Sequence, residues 1–132
     1  MRDYQRQKNN KYVLPSAVWH QAIWIIRDYY RLQSAASNVL CSTPNKNDVV
    51  VKKSGTSDEV LTKAIQREYA LNKVRIIDNA LLLIPKEYRS GIWDNVMLRA
   101  PFPNDADRTT YGRYKSIFVY KVAEGMGLIF NE

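Results

Sequence analysis

Two segments with helical periodicity, residues 86–98 and 107–126, are joined by a proline-containing stretch, and they constrain the fold more than any other feature. In the second segment, apolar side chains recur at steps of three and four residues, as on one face of a helix: Tyr111, Tyr114, Phe118 and Val122. Pro101 and Pro103 lie between the segments and prevent one continuous helix. The sequence therefore predicts a helix, a turn and a second helix.

The second predicted helix contains the candidate binding residues. At about 100° per residue, its apolar side chains gather on one side, while the other side is small, hydroxyl-bearing or cationic. A basic helix that follows a turn is typical of a helix-turn-helix motif, whose second helix enters the major groove of DNA. An ordinary amphipathic helix with a solvated basic face is the alternative. The predicted DNA contacts are Arg108, Thr109, Gly112, Arg113, Lys115, Ser116 and Tyr120.

The chemistry of these side chains suggests two kinds of contact. We expect Arg108 and Lys115 to hold phosphates, together with backbone N–H groups at the helix start. We expect Thr109, Arg113 and Ser116 to point into the groove, where an Arg that binds guanine through two hydrogen bonds contributes about 1–3 kcal/mol of discrimination.

Three residues near the helix start have competing interpretations. Gly112 costs roughly 1 kcal/mol relative to Ala in a helix interior, which a close approach to a sugar-phosphate backbone or to another helix would explain. Asp105 and Asp107 lack the Gly and closing Glu of a calcium-binding loop. We therefore interpret one of them as the N-cap, with its carboxylate on free backbone N–H groups.

Two longer helical patterns precede this region. One runs from Pro15 to about Leu40; the other runs from Ser57 to Ile84 and has an apolar stripe that begins with Leu61, Ile65 and Tyr69. We expect them to pair antiparallel. The predicted fold is thus all-α, a single domain over 1–132, with a long antiparallel helical hairpin at 14–85, a flexible loop at 42–57 and a helix-turn-helix at 86–129.

The charge of the chain favours a polyanionic partner. The net charge is +7, which suggests nucleic acid first and an anionic membrane second. Residues 1–11 hold four of the cations and one acid. We prefer to interpret them as a frayed terminus; an arm that follows phosphates is the alternative.

The sequence offers little catalytic chemistry. It has a single cysteine, Cys41, and a single histidine, His20, so neither a disulfide nor a cysteine-based metal cluster can form within the chain. Phosphate-binding loops, nucleophile elbows and zinc-protease motifs are absent from the sequence. We expect no enzyme activity, no cofactor and no metal. No apolar run is long enough to span a membrane, so we expect a protein of the cytoplasm.

Two groups of landmarks resemble a known family of transcriptional regulators. The N-terminal group is Leu14-Pro15, Ala22-Ile23, Arg27-Asp28-Tyr29 and Arg31. The C-terminal group is Ile84-Pro85-Lys86-Glu87-Tyr88-Arg89, Ile92-Trp93-Asp94-Asn95, Phe102-Pro103, Asp105-Ala106, Thr109, Tyr111, Arg113-Tyr114-Lys115, Phe118, Val122-Ala123 and Gly127-Leu128. These residues resemble the RinA and ArpU group of Gram-positive phages and prophages, which is similar to region 4 of sigma-70-type factors.

The resemblance implies sequence-specific binding of double-stranded DNA and activation of late phage genes in a bacterial host, through host RNA polymerase. It implies a recognition helix over Asp107–Glu124, with Arg108, Thr109, Arg113 and Lys115 as the contacts. Gly112 departs from the basic residue expected there. The excess apolar surface of the hairpin also favours a homodimer or a polymerase-docking arm.

Two alternatives share these features. In one, the chain is a protein-binding module or phage assembly adaptor that uses its helical hairpin and has no specific affinity for DNA. In the other, it binds RNA, although Tyr120 alone is little support for the aromatic platform that single strands require.

Overall fold

The computed structural model describes residue 5, residues 11–42 and residues 56–130, without the side chains of 38–42 and 56–58. These residues form five helices and no strand, so the prediction of an all-α fold is confirmed for them. The helices are α1 (Ser16–Arg27), α2 (Tyr29–Ser42), α3 (Thr56–Leu82), α4 (Lys86–Leu98) and α5 (Arg108–Gly125). Of the loop predicted at 42–57, residues 43–55 lie outside the described part of the chain, whereas Ser42 ends α2 and residues 56–57 begin α3.

The helix predicted from Pro15 to about Leu40 is interrupted at Asp28, so the prediction of one continuous helix is wrong. Asp28 has φ −85° and ψ 3°, and its backbone N–H is shared between the carbonyls of Trp24 and Ile25 at 3.1 Å each. The described residues divide into two compact units at the same point. The first unit comprises residues up to Asp28 and from Ile76 onward, and the second comprises Tyr29–Arg75. The single-domain assignment stays a prediction.

The core of the first unit lies where α1, α4 and α5 pack against one another. Arg27, at the end of α1, donates from Nε to the carbonyl of Val96 near the end of α4, at 2.7 Å. The large side chains of this core are at most 2% exposed: Trp19, Ile23, Ile26, Ile92, Val96, Tyr111, Phe118, Val119 and Val122.

Local chemistry fixes the ends of α3 and α5. Arg89 donates from Nε to the Ile84 carbonyl at 2.8 Å and from Nη2 to the Leu82 carbonyl at 3.2 Å. The Leu82 carbonyl is one that the end of α3 leaves without a helical partner, and the Ile84 carbonyl lies two residues beyond the helix. At the end of α5, Gly127 has φ 75°, its N–H donates to the Glu124 carbonyl, and the Leu128 N–H donates to the Ala123 carbonyl. This is a Schellman motif, in which glycine adopts the left-handed conformation at low cost.

Gly91 explains how closely α4 approaches the 99–107 connection. A Cβ at this position would lie 2.7 Å from Pro103 Cδ and 2.9 Å from Tyr111 Cε1, distances that no side chain can occupy without displacing its neighbours. The glycine therefore allows the connection and α5 to pack directly on α4.

The second unit has a smaller described core. Leu32 and Ala36 of α2 are buried together with Ala70 and Val74 of α3. The long antiparallel hairpin of residues 14–85 stays a prediction.

The first part of the α3 stripe does not lie in this core. Leu61, Ile65 and Tyr69 are 60–61% exposed. Val74 lies nine residues after Ile65, about 180° around the helix at ~100° per residue. α3 therefore has apolar side chains on two opposite sides, and its buried side is the one that includes Val74.

Candidate nucleic-acid interface

Five of the seven predicted contact residues are at least partly exposed on α5. Arg108, Thr109 and Arg113 are exposed, while Gly112 and Tyr120 are half-buried. Thr109, Arg113 and Tyr120 recur at steps of four and seven residues, so they lie along one side of the helix. The outward face of α5 is thus smaller than predicted, and Thr109, Arg113 and Tyr120 lie along it.

Lys115 does not belong to this face, and the prediction that it faces a phosphate is wrong. Its side chain is 4% exposed, and Nζ donates to Asn95 Oδ1 at 2.7 Å. Nζ also lies 5.8 Å from the centroid of the Trp19 ring, within the range of a cation–π interaction. Asn95 Nδ2 in turn donates to the Ala100 carbonyl at 2.7 Å. Lys115 therefore fastens α5 to α1, to α4 and, through Asn95, to the 99–107 connection.

Ser116 is also buried, at 1% exposure, so its predicted position in the groove is wrong as well. It lies on the same side of α5 as Val119 and Ala123, which are both fully buried. Since α5 packs against both α1 and α4, its buried side is wider than the stripe that a helix with one neighbour would need. The sequence prediction used the narrower stripe, and it therefore did not include Val119 and Ala123 among the buried residues.

The start of α5 is arranged by two acids with different roles. Asp107 is the N-cap, with φ −62° and ψ 145°, but its side chain makes no cap hydrogen bond. The predicted position of the cap is confirmed at Asp107, and the predicted carboxylate contact is not observed. Asp105 instead accepts a hydrogen bond from the Tyr111 hydroxyl, at 2.5 Å. Burial, reinforced by this hydrogen bond to a carboxylate, raises the pKa of Tyr111 to about 12.

A group of stacked aromatic rings holds α5 against α4 and the connection between them. The Tyr88 ring stacks on Tyr114, with centroids 5.2 Å apart, and meets Tyr111 edge-on at 5.3 Å. The Phe102 ring stacks on the Tyr111 ring, with centroids 5.1 Å apart. Such pairs contribute about 0.5–1.5 kcal/mol each beyond their burial. They fix the orientation of α5, and the sequence pattern did not indicate this role for Tyr88 or Phe102.

Comparisons of the chain with protein-family models, curated proteins and solved structures find no match.

The connection between α4 and α5 covers residues 99–107, which is longer than the three- or four-residue turn of many helix-turn-helix motifs. The helix-turn-helix assignment stays a prediction.

Among the described residues, no group of His, Cys, Asp and Glu side chains could hold a metal ion. No helix in the described part of the chain is long and apolar enough to cross a membrane.

The far end of the outward face contacts the segment before α1. The Tyr12 ring meets the Tyr120 ring edge-on, with centroids 5.3 Å apart. Gln5 is also packed, at 7% exposure, and its side-chain amide bonds both backbone polar groups of Leu14. The interpretation of a frayed terminus is therefore wrong at Gln5; residues 1–4 and 6–10 lie outside the described part.

Proposed function

We propose that this chain is a sequence-specific DNA-binding transcriptional regulator and that α5 is its recognition helix. The observation that supports this best is that α5 is fixed on two sides, by α1 and α4, and still presents Arg108, Thr109 and Arg113 to solvent. The resemblance to phage regulators suggests that it activates late genes of a phage or prophage, with host RNA polymerase as a partner.

The orientation of α5 supports direct recognition of bases. A recognition helix must hold its side chains at a fixed angle, because the hydrogen bonds to base edges tolerate little displacement. The Lys115–Asn95 hydrogen bond and the rings around Tyr111 supply that support from the buried side. Arg113 lies in the middle of the exposed side, where it can bind guanine through two hydrogen bonds.

Electrostatics support phosphate contact unevenly along the helix. The chain as a whole is strongly cationic, with a net charge of +7, which favours association with DNA. At the start of α5, however, Arg108 is accompanied by the exposed residues Asp105 and Asp107. These carboxylates oppose a phosphate at the helix N-terminus, so Arg108 and the backbone N–H groups contribute less there than the helix dipole alone would suggest.

The decisive substitution is Arg113→Lys, which retains the positive charge and loses the two-pronged hydrogen bond to guanine. A target duplex would first be selected from a random pool, and affinity would then be measured by fluorescence anisotropy over a range of salt concentrations. We expect the affinity for the selected duplex to fall by about 1–3 kcal/mol. Affinity for random duplex and the salt dependence should both remain near the wild-type values.

Arg75→Lys is the matched control, because Arg75 is exposed on α3 in the other unit. It should leave the affinity for both duplexes unchanged. Equal losses of affinity for selected and random duplex in Arg113→Lys would contradict base recognition by this residue. A wild-type protein that retains no duplex at moderate salt would contradict the proposed function itself.

A protein-binding adaptor is the second candidate, and the exposed apolar residues of α3 favour it. Leu61, Ile65 and Tyr69 form a stripe at steps of four residues, and exposed apolar patches often mark sites where another protein, or a second copy, binds. An adaptor would show weak, sequence-independent retention of DNA, whereas a regulator should release a preferred duplex steeply as salt rises.

A further inference from the structure

We propose that Lys11 binds a DNA phosphate at the end of α5 opposite to Arg108, so that the segment before α1 extends the recognition surface. The proposal rests on the proposed function, and it adds a binding residue outside the recognition helix. Lys11 is exposed, and its Nζ lies 5.4 Å from the centroid of the Tyr12 ring. Because Tyr12 contacts Tyr120, this cation is held beside the outward face of α5.

Two contacts position the segment. The Gln5 side chain donates from Nε2 to the Leu14 carbonyl at 2.8 Å, and its Oε1 accepts from the Leu14 N–H at 2.6 Å. Both partners are buried, so these bonds are shielded from exchange with water. The second contact is the edge-on pair of Tyr12 and Tyr120. Lys11 is the cation in the described part of this segment, which comprises residues 5 and 11–15.

The spacing suits a helix that lies in the major groove. Arg108 and Tyr120 are twelve residues apart, which corresponds to roughly 18 Å along the helix axis at 1.5 Å per residue. The major groove is about 12 Å wide. A cation beside Tyr120 and another at Arg108 can therefore reach phosphates on opposite sides of the groove.

The acids near the two ends of α5 have different surroundings. Asp105 and Asp107 are exposed beside Arg108, whereas Glu124, near the other end of the helix, lies 3.4 Å from Lys121 Nζ. The end of α5 next to Lys11 is thus better suited to a phosphate than a helix C-terminus is by itself.

The test compares Lys11→Gln with Lys63→Gln in the full chain, again by anisotropy with the selected and a random duplex. Lys63 is an exposed lysine of α3 in the second unit, so it matches Lys11 in charge and exposure. For Lys11→Gln, the slope of log affinity against log salt concentration should become shallower by about 0.9, the value for one lost phosphate contact. Affinity should fall several-fold for both duplexes alike, because a phosphate contact does not read sequence. Lys63→Gln should change neither quantity.

A second variant separates positioning from general damage to the fold. Tyr12→Leu keeps every charge and removes the ring that holds Lys11 against Tyr120, so it should also weaken binding. If it acts through Lys11, the double variant with Lys11→Gln should bind no more weakly than Lys11→Gln alone. Circular dichroism of each variant shows whether it is folded, and Lys11→Gln decides the matter by itself if Tyr12→Leu does not fold.

The outcomes distinguish this proposal from the proposed function. If the wild-type protein selects no duplex, both are overturned. If it selects one and Arg113→Lys loses the preference, but Lys11→Gln behaves like Lys63→Gln, only the role of Lys11 is overturned. A shallower slope confined to Lys11→Gln supports it.

Discussion

The two units of this chain differ in what they bury. In the first unit, α1, α4 and α5 enclose large side chains such as Trp19, Tyr111 and Phe118, all at most 2% exposed. In the second unit, two of the four buried core residues, Ala36 and Ala70, are alanines. Since apolar burial contributes roughly 25 cal/mol per Å², a large ring contributes more than a methyl group. Most of the stability that the described core provides should therefore come from the first unit.

Helices α3 and α5 also differ in how much of their apolar surface is buried. Both have apolar side chains at helical spacing, yet α5 buries Phe118 and Val122 while α3 exposes Leu61, Ile65 and Tyr69. The periodicity of a sequence shows which side of a helix is apolar. Whether a neighbour covers that side depends on the packing of other helices, and the pattern within the helix has no information about it.

The largest expected effect comes from substituting a core side chain in each unit. Phe118→Ala should lower the free energy of unfolding by about 3–5 kcal/mol, because the cavity lies among α1, α4 and α5, where buried neighbours can collapse only in part. Leu32→Ala should cost about 2 kcal/mol, near the lower limit for such changes, because its surroundings are smaller. Urea unfolding followed by circular dichroism measures both values. A cost for Leu32→Ala as large as that for Phe118→Ala would contradict the difference between the units.

The second prediction concerns pH and is specific to the first unit. The pKa of Tyr111 is raised from 10 to about 12, so the folded protein holds this proton more tightly than the unfolded chain does. The contribution of this proton to the free energy of unfolding is fully present below pH 10 and is lost as the pH rises towards 12. At about 1.36 kcal/mol per pKa unit, this amounts to about 2–3 kcal/mol. Below pH 10, Tyr111→Phe should cost about 1 kcal/mol for the hydrogen bond to Asp105.

The measurement for Tyr111 is the difference in unfolding free energy between wild type and Tyr111→Phe from pH 8 to pH 12. Groups that titrate equally in both proteins cancel in this difference. As the pH rises above 10, the wild-type protein should lose its advantage over the variant and become the less stable of the two near pH 12, because the pH-dependent loss exceeds the contribution of the hydrogen bond. A difference that stays constant across this range would mean that the Tyr111 hydroxyl is not buried against Asp105.

The parts of the fold that were predictable are those that local chemistry determines. The prediction of α4 at residues 86–98 is confirmed, and α5 was predicted within one residue at each end. Pro85, Pro101 and Pro103 constrain the backbone at their own positions, so these boundaries can be recognised without knowledge of the tertiary structure. The interruption at Asp28 was not predictable in this way, because helical periodicity continues on both sides of it.

The candidate site was predictable only in part, for a related reason. Thr109 and Arg113 face outward on any amphipathic projection of α5. Lys115 lies at the edge of the apolar stripe of α5, whereas Ser116 lies on the side opposite to Phe118 at about 100° per residue. The burial of both depends on whether one helix or two pack against α5. A lysine is seldom fully buried without a partner, and that partner, Asn95, lies twenty residues away on α4. The contact therefore follows from the fold and has no signal in the sequence of α5.

The smallest expected effect is on α3, where Ile65→Gln should change the free energy of unfolding by no more than about 0.5 kcal/mol. Ile65 is 60% exposed, so the substitution creates no cavity and buries no polar group. The measurement should be repeated over a hundredfold range of protein concentration. A cost above 1 kcal/mol that grows with concentration would mean that a second copy of the chain covers this side of α3, because binding of the native state stabilises it by mass action. A similar cost that does not depend on concentration would mean that the chain itself covers Ile65, and the contrast between α3 and α5 would then be wrong.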